Sequence, residues 1–277
     1  MINFRTSSLF HYTSFNFLKK IILEGIKPNY CKEDFSYGKN EHIIGIPMIS
    51  FCDIPLMRAH VFTNRYGNHA IGLSKDWAIR NRINPILYVS NDEILTSLNF
   101  LKSYEQHLKS QLDKSGSDGR TLPINLNDKN SVSHIVPFMN HISSHNANVN
   151  LFGYVKKYTG VGKKHNNQCN YEENEWRYII QDAPAHKWLW NKDEYNKWRG
   201  FGQSKPIPTE ALEREKLTFG VSDITHIIVE FERQIPDIIR YIDKLVQIGG
   251  TDKQISDTER KILYSKIISM EKIKKDF

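Results

Sequence analysis

An eight-residue segment beginning at Tyr171, with the sequence YEENEWRY, places three carboxylates within four residues. The apolar residues that follow predict a strand. In an extended chain alternate side chains share a face, so Glu173 and Glu175 would point the same way and Glu172 the other. Two carboxylates on one face repel each other, which raises the pKa of one, and proteins keep such pairs mainly where chemistry uses them. A solvated acidic turn is the alternative interpretation.

Two earlier segments end predicted strands with polar side chains. His11 lies near the end of a run from Leu9 to Thr13. There one ring nitrogen could bind a ligand hydroxyl while the backbone fixes the other, although a histidine held in a core or turn is the alternative. Ser50 ends the apolar run 43–51 and suits a polar pocket, with an ordinary turn as the alternative.

A basic stretch lies just ahead of the acidic segment. Lys156, Lys157, Lys163, Lys164 and His165 put four lysines and one histidine within ten residues. A cationic loop beside a carboxylate pocket could hold a phosphate backbone near a reacting centre. A solvated basic loop is the alternative.

The motifs of several enzyme classes are absent from the sequence. There is no GxGxxG, P-loop or GxSxG pattern. The sequence therefore does not support a dinucleotide-binding Rossmann fold, an NTPase or an α/β-hydrolase. The chain has three cysteines, far apart, and its histidines show no zinc-binding spacing. We therefore expect a reducing, cytoplasmic setting, no disulfide framework and no metal.

The chain has 277 residues and a formal net charge of +7. It has no apolar run long enough to span a bilayer and no signal-peptide pattern, so we expect no membrane contact. Helical and strand-like segments alternate irregularly, which predicts an α+β fold. We expect one domain over 1–277, with a helical or loop insertion at 91–150 and a helical extension at 233–277.

Taken in order, these segments resemble the ADP-ribosyltransferase-like superfamily. The resemblance rests on Leu9-Phe10-His11-Tyr12-Thr13, Gly25-Ile26-Lys27-Pro28, Ile49-Ser50-Phe51-Cys52 and Glu173-Asn174-Glu175-Trp176-Arg177. Within that superfamily the chain looks like the AbiGi group of bacterial abortive-infection proteins, with some likeness to DarT and toxin-type transferases. The resemblance covers roughly residues 7–90 and 150–232.

The resemblance implies a split pair of small sheets with NAD, as substrate, in the cleft between them. His11 would contact the adenosine ribose hydroxyls, and Tyr12 and Thr13 would shape the strand end. Ser50 and Phe51 would support the nicotinamide side.

The resemblance also implies roles for the residues closest to the reaction. Tyr66 would stack on nicotinamide, with Phe51 and Tyr37 as competing candidates. Glu175 would be the catalytic glutamate, and Glu173 would orient the acceptor. The loop 160–172, with Lys163, Lys164 and His165, would then select the substrate.

The chemistry agrees with these roles. Breaking the nicotinamide–ribose bond builds positive charge on the ribose, as in glycoside hydrolysis, and a carboxylate at the 2′-hydroxyl would stabilise it. The first hypothesis is therefore an NAD-dependent ADP-ribosyltransferase that transfers ADP-ribose to a nucleic acid, RNA rather than DNA. It would act as a phage-defence toxin that blocks gene expression, and an antitoxin protein would neutralise it. The alternatives are a transferase with a protein target, a non-catalytic antitoxin, and a basic nuclease or other RNA-binding protein.

Overall fold

A computed structural model of the chain describes residues 6–58, 66–114, 129–161, 167–182, 187–199 and 210–276. The chain has the mixed α+β composition that was predicted. The helices are α1 (Phe15–Glu24), α2 (Lys75–Arg80), α3 (Asp92–Lys114), α4 (Lys129–Tyr154), α5 (Lys192–Trp198), α6 (Glu210–Glu213), α7 (Ile235–Asp243), α8 (Asp257–Ser265) and α9 (Met270–Asp276). The strands are β1 (Ser8–Thr13), β2 (Asn29–Asp34), β3 (Ile43–Cys52), β4 (His69–Ser74), β5 (Asn84–Pro85), β6 (Leu87–Val89), β7 (Val155–Lys157), β8 (Thr159–Val161), β9 (Asn167–Cys169), β10 (Glu175–Ile179), β11 (Ile224–Val229) and β12 (Ile267–Ser269).

Eight strands form one sheet, in the order β12-β11-β4-β1-β3-β10-β5 with β2 paired to β3. Strand β1 pairs with β4 along its full length, from Ser8 to Thr13, but meets β3 at the single pair Phe10 with Cys52. We expected two separate sheets. The structure instead has one sheet, whose two halves are joined at the Phe10–Cys52 pair.

Helix α1 shows why the local sequence folds as it does. Leu18, Ile21 and Ile22 recur at helical spacing, and all three are buried against the core. Gly25 follows the helix with φ of 84°, and a Cβ there would lie 2.5 Å from the carbonyl oxygen of Leu217. Glycine is required at this point both by the backbone conformation and by the close approach, and it ends the helix.

The apolar core is divided between the two halves of the sheet. One cluster packs α1, α2, α7 and α8 against β1, β4 and β11. A second packs α3 and α4 against β2 and β3. No helix in the described part of the chain is long and apolar enough to cross a membrane.

The insertion and the extension differ from their predictions in detail. The insertion consists of two long helices, α3 and α4, with residues 115–128 outside the described part. The extension is not purely helical, because β12 pairs in parallel with β11. Ile267 and Ile268 fall within the extension that was predicted to be helical but lie on this strand. A short apolar run has no periodicity that separates helix from strand.

Candidate functional site

A cavity of about 740 Å³ opens where the two halves of the sheet meet, since both Phe10 and Cys52 line it. This volume lies within the range of small-molecule sites. The predicted site residues that line it are His11, Tyr12, Thr13, Ser50, Tyr66, Glu173 and Glu175. The structure thus brings together residues that are separated by up to 164 positions in the sequence, counting from His11 to Glu175.

The acidic segment reaches the cavity through a turn rather than an extended strand. Residues Asn170–Glu173 form a 3₁₀ helix, and Asn174 has a left-handed backbone with φ of 41°. Asparagine tolerates this conformation better than most residues. The assumption that Glu173 and Glu175 alternate along one strand was therefore wrong. Both side chains are nevertheless buried, whereas Glu172 is exposed.

The carboxylate of Glu175 accepts four hydrogen bonds. Its Oε1 accepts from Ser50 Oγ at 2.7 Å and from Arg177 Nε at 2.7 Å. Its Oε2 accepts from Lys156 Nζ at 2.8 Å and from a second Arg177 nitrogen at 3.2 Å. Burial opposes ionisation of Glu175, but the charges of Arg177 and Lys156 outweigh it and hold the pKa well below its ordinary value. The predicted carboxylate repulsion is therefore offset by these two cations.

Arg177 is the centre of this arrangement, and the sequence interpretation gave it no role. Its side chain is fully buried and links Glu175 to Glu33, whose Oε1 lies 2.6 Å from an Arg177 nitrogen. The Gly153 carbonyl is its third partner and accepts a bond at 3.0 Å. The spacing of two residues along β10 could have placed Arg177 beside Glu175. No local signal points to Glu33, where burial raises the pKa of the carboxyl despite the neighbouring cations.

Lys156 bridges the two candidate glutamates. Its Nζ lies 2.9 Å from Glu173 Oε2 and 2.8 Å from Glu175 Oε2. Burial works against the charged ammonium, but Glu175, Glu33 and Glu173 together raise the pKa of Lys156 well above its ordinary value. The ammonium therefore stays charged at neutral pH.

The predicted basic loop is thus only partly available to a ligand. Lys156 lies on β7 and is used inside the protein, and Lys157 Nζ donates to the Ser36 carbonyl. Lys156 and Lys157 lie on a strand and not in the expected loop, and both are engaged with protein acceptors, although Lys156 also lines the cavity. Lys163, Lys164 and His165 lie outside the described residues.

The Tyr66 hydroxyl donates a hydrogen bond to Glu173 Oε1 at 2.6 Å, and the residue is 42% exposed. Of the three rings proposed to stack on nicotinamide, Tyr66 lines the cavity and Phe51 and Tyr37 do not. Phe51 is fully buried and packs edge-on against Trp77 at 5.8 Å. Placing Phe51 at a ligand was therefore wrong, because its side chain faces the core.

His11 is fixed by the backbone of β3. Its Nδ1 lies 2.9 Å from the Ser50 carbonyl oxygen, which can only accept, so Nδ1 carries the proton. Burial lowers the pKa of His11 despite this hydrogen bond, and the neutral ring keeps Nε2 as an acceptor. Tyr12 lines the same cavity, and its buried hydroxyl has no hydrogen-bond partner among the described residues.

The site therefore combines three carboxylates, Glu33, Glu173 and Glu175, with two cations, Lys156 and Arg177. Such a network holds its members in fixed positions. Glu175 can accept a hydrogen bond from a ligand hydroxyl once Ser50 or Lys156 moves away. Among the described residues, no group of three or more His, Cys, Asp and Glu side chains is arranged to hold a metal ion.

Two comparisons with known proteins agree on a family. Residues 24–230 match the family model described as "Putative abortive phage resistance protein AbiGi, antitoxin". The chain is also 30% identical over 244 residues to the "Abortive phage resistance protein AbiGi" of Lactococcus lactis subsp. cremoris, covering 84% of this chain and 89% of that protein. No solved structure matches the chain, so the ADP-ribosyltransferase-like fold stays a prediction. The chain belongs to the AbiGi family of abortive phage resistance proteins.

Proposed function

We propose that this chain acts in phage abortive infection as an antitoxin, a protein that binds and neutralises a partner toxin. The observation that carries the proposal is the match of residues 24–230 to a family described as an antitoxin. A role in binding requires a rigid scaffold but no reactive group.

The state of Glu175 supports this proposal. A general base or charge-stabilising carboxylate needs an oxygen within hydrogen-bond reach of the reacting group. Here both oxygens already accept bonds from Ser50, Lys156 and Arg177. In this state the carboxylate links β10 to Ser50 on β3 and to Lys156 on β7.

Expression in bacteria tests the proposal. We expect the wild-type chain, expressed alone, to leave growth unchanged, and to restore growth when it is co-expressed with the toxin of its own abortive-infection locus. The Glu175→Gln variant should protect about as well as the wild type if it remains folded. Growth arrest caused by the wild-type chain alone, and relieved by Glu175→Gln, would contradict an antitoxin role.

A second candidate function is NAD-dependent transfer of ADP-ribose to a nucleic acid, RNA rather than DNA, by a phage-defence toxin. One specific observation favours it: residues predicted to contact NAD, from β1, β3 and the segment of Tyr66, line the same cavity as Glu173 and Glu175. The volume of about 740 Å³ suits a nucleotide-sized ligand. For this chemistry Ser50 or Lys156 would have to release Glu175, so that it accepts a bond from the ribose hydroxyl.

Thermal unfolding in millimolar NAD separates the two candidates, because a ligand that binds the folded state raises its apparent stability. A transferase should be stabilised by NAD and should label RNA from radioactive NAD, and Glu175→Gln should abolish the label. Glu172→Gln is the matched control, since Glu172 is exposed in the same segment. If NAD neither stabilises the chain nor yields labelled RNA or protein, the antitoxin proposal is the one that remains. Label on protein but not on RNA would contradict the nucleic-acid acceptor.

A further inference from the structure

The buried cluster at the cavity carries more negative than positive charge. Its carboxylates are Glu33, Glu173 and Glu175, and the cations paired with them are Lys156 and Arg177. With every member ionised, three negative charges therefore meet two positive ones. Because a buried charge without a partner is costly, the cluster requires one further positive charge.

Glu33 is the member of the cluster with room for that charge. It lines the cavity and is 7% exposed. Its Oε1 lies 2.6 Å from Arg177, and in the described part of the chain Oε2 has no hydrogen-bond partner. When no ligand is bound, a proton on Glu33 can supply the charge, because burial raises the pKa of this carboxyl against the pull of Arg177 and Lys156.

A buried hydroxyl in the same cavity also lacks a partner. Tyr12 is 8% exposed, and none of the residues that the structure describes forms a hydrogen bond with its Oη. Buried polar groups are almost always hydrogen-bonded, so an exception beside a cavity points to a ligand. A tyrosine hydroxyl and a carboxylate oxygen both accept N–H donors. The buried end of the cavity therefore suits a positively charged group that carries N–H bonds.

Two exposed aromatic rings lie at the mouth of the cavity. Phe17 is 60% exposed and Tyr66 is 42% exposed, and both line the cavity. The Phe17 ring already has Lys20 Nζ at 5.7 Å from its centroid. Aromatic faces attract cations, and aromatic residues are enriched where proteins bind one another. The mouth therefore suits contact with another protein.

We propose that the cavity receives one lysine or arginine side chain of a partner protein, with its charged end at Glu33. The inference rests on the antitoxin function proposed above, for which the partner is the toxin. A single basic side chain supplies the missing charge and adds no other. A polyamine carries several positive charges and would be repelled by the exposed lysines that line the same cavity, namely Lys20, Lys27 and Lys32.

Blocked amino acids that carry a single positive charge test the inference by isothermal titration calorimetry. The probes are N-acetyl-lysine N-methylamide and N-acetyl-arginine N-methylamide. The matched controls are their uncharged counterparts, the Nε-acetylated lysine and the citrulline compound with the same blocked ends. We expect a charged probe to bind at millimolar concentration, and its uncharged counterpart to bind at least about tenfold more weakly.

Two variants locate the binding site. Glu33→Gln removes the surplus negative charge and keeps a carbonyl oxygen for Arg177, whereas Tyr12→Phe removes only the hydroxyl. Each should weaken binding of the charged probe about tenfold. Tyr12→Phe breaks no hydrogen bond to a described residue, so it should remain folded even if Glu33→Gln does not, as circular dichroism will show. Glu213→Gln is the control and should bind normally, since Glu213 lines the cavity with a side chain that is 58% exposed.

Preference for the charged probes that is weakened in Glu33→Gln or Tyr12→Phe and kept in Glu213→Gln supports the inference. Charged probes that bind no more tightly than the uncharged ones overturn it, and so does binding that survives both substitutions. Spermidine that binds more tightly than the blocked amino acids overturns the assignment to a protein side chain.

Co-expression with the toxin separates the inference from the function on which it rests. Folded Glu33→Gln and Tyr12→Phe chains that protect as well as the wild type contradict the basic side chain alone. A wild-type chain that gives no protection contradicts the antitoxin role.

Discussion

Two groups of ionisable side chains lie in different parts of this protein, a buried one at the cavity and a half-buried one beneath the inserted helices. The cavity cluster consists of Glu33, Lys156, Glu173, Glu175 and Arg177. In the hairpin cluster, His145 pairs with Glu105 at 2.6 Å and lies 3.5 Å from Asp182. Both clusters join segments that are distant in sequence. The carboxylates of the cavity cluster pair with lysine and arginine, whereas those of the hairpin cluster pair with histidine.

The choice of cation sets the pH range in which each cluster stabilises the fold. The pKa of Glu175 is lowered in the folded state, so its contribution is present above the ordinary value of 4.5 and is lost as the pH falls toward the folded pKa. The pKa of His145 is raised by its hydrogen bond to Glu105, so its contribution is full below 6.5 and is lost as the pH rises through the folded pKa. Above pH 4.5 the contribution of Glu175 is therefore constant, whereas that of His145 is lost as the pH rises through its folded pKa.

The largest effect should come from Arg177→Met. This change leaves Glu33 and Glu175 buried without their shared cation, and we expect a loss of about 3–5 kcal/mol in the free energy of unfolding. Urea denaturation at neutral pH measures it. Arg80→Met is the control, because Arg80 is exposed and its pair with Asp223 should be worth about 1 kcal/mol or less.

Equal losses in the free energy of unfolding for Arg177→Met and Arg80→Met would contradict this expectation. The buried cavity cluster would then stabilise the fold no more than an exposed ion pair does.

An intermediate effect should appear in the hairpin cluster as a function of pH. We expect the wild-type chain to lose about 1–2 kcal/mol of stability as the pH rises through the folded pKa of His145, since the charged hydrogen bond to Glu105 is lost. In His145→Gln this loss should be absent. Thermal unfolding at a series of pH values measures both, with exposed His107→Gln on the same helix pair as the control. An unchanged pH dependence in His145→Gln would assign the titration to another group.

The smallest effect should come from Ser50→Ala. Glu175 keeps its bonds to Arg177 and Lys156, so the loss of one neutral donor should cost about 1 kcal/mol or less. Ser97→Ala, which removes an exposed hydroxyl bonded to the Glu93 carbonyl, is the control. If Ser50→Ala proved as damaging as Arg177→Met, the hydroxyl and not the guanidinium would be the main support of Glu175.

Local sequence signals account for the ends of several elements. Helix α1 follows Ser14 and ends at Gly25, and α8 begins after Ser256, which exchanges reciprocal hydrogen bonds with Glu259. In each case the signal spans four residues or fewer, because caps and helical spacing act over one turn. The last strand, β12, was missed, since its pairing partner β11 lies about forty residues earlier.

The sequence by itself determined the chemistry that was available: paired carboxylates, a histidine and a serine at strand ends, and lysines ahead of the acidic segment. Only the tertiary structure decided which of these groups meet. Arg177 reaches Glu33 across 144 positions, and Lys156 turns inward to both glutamates instead of outward to a ligand. The physical reason is that an ion pair depends on distance in space and on burial, and neither is encoded in the residues next to it along the chain.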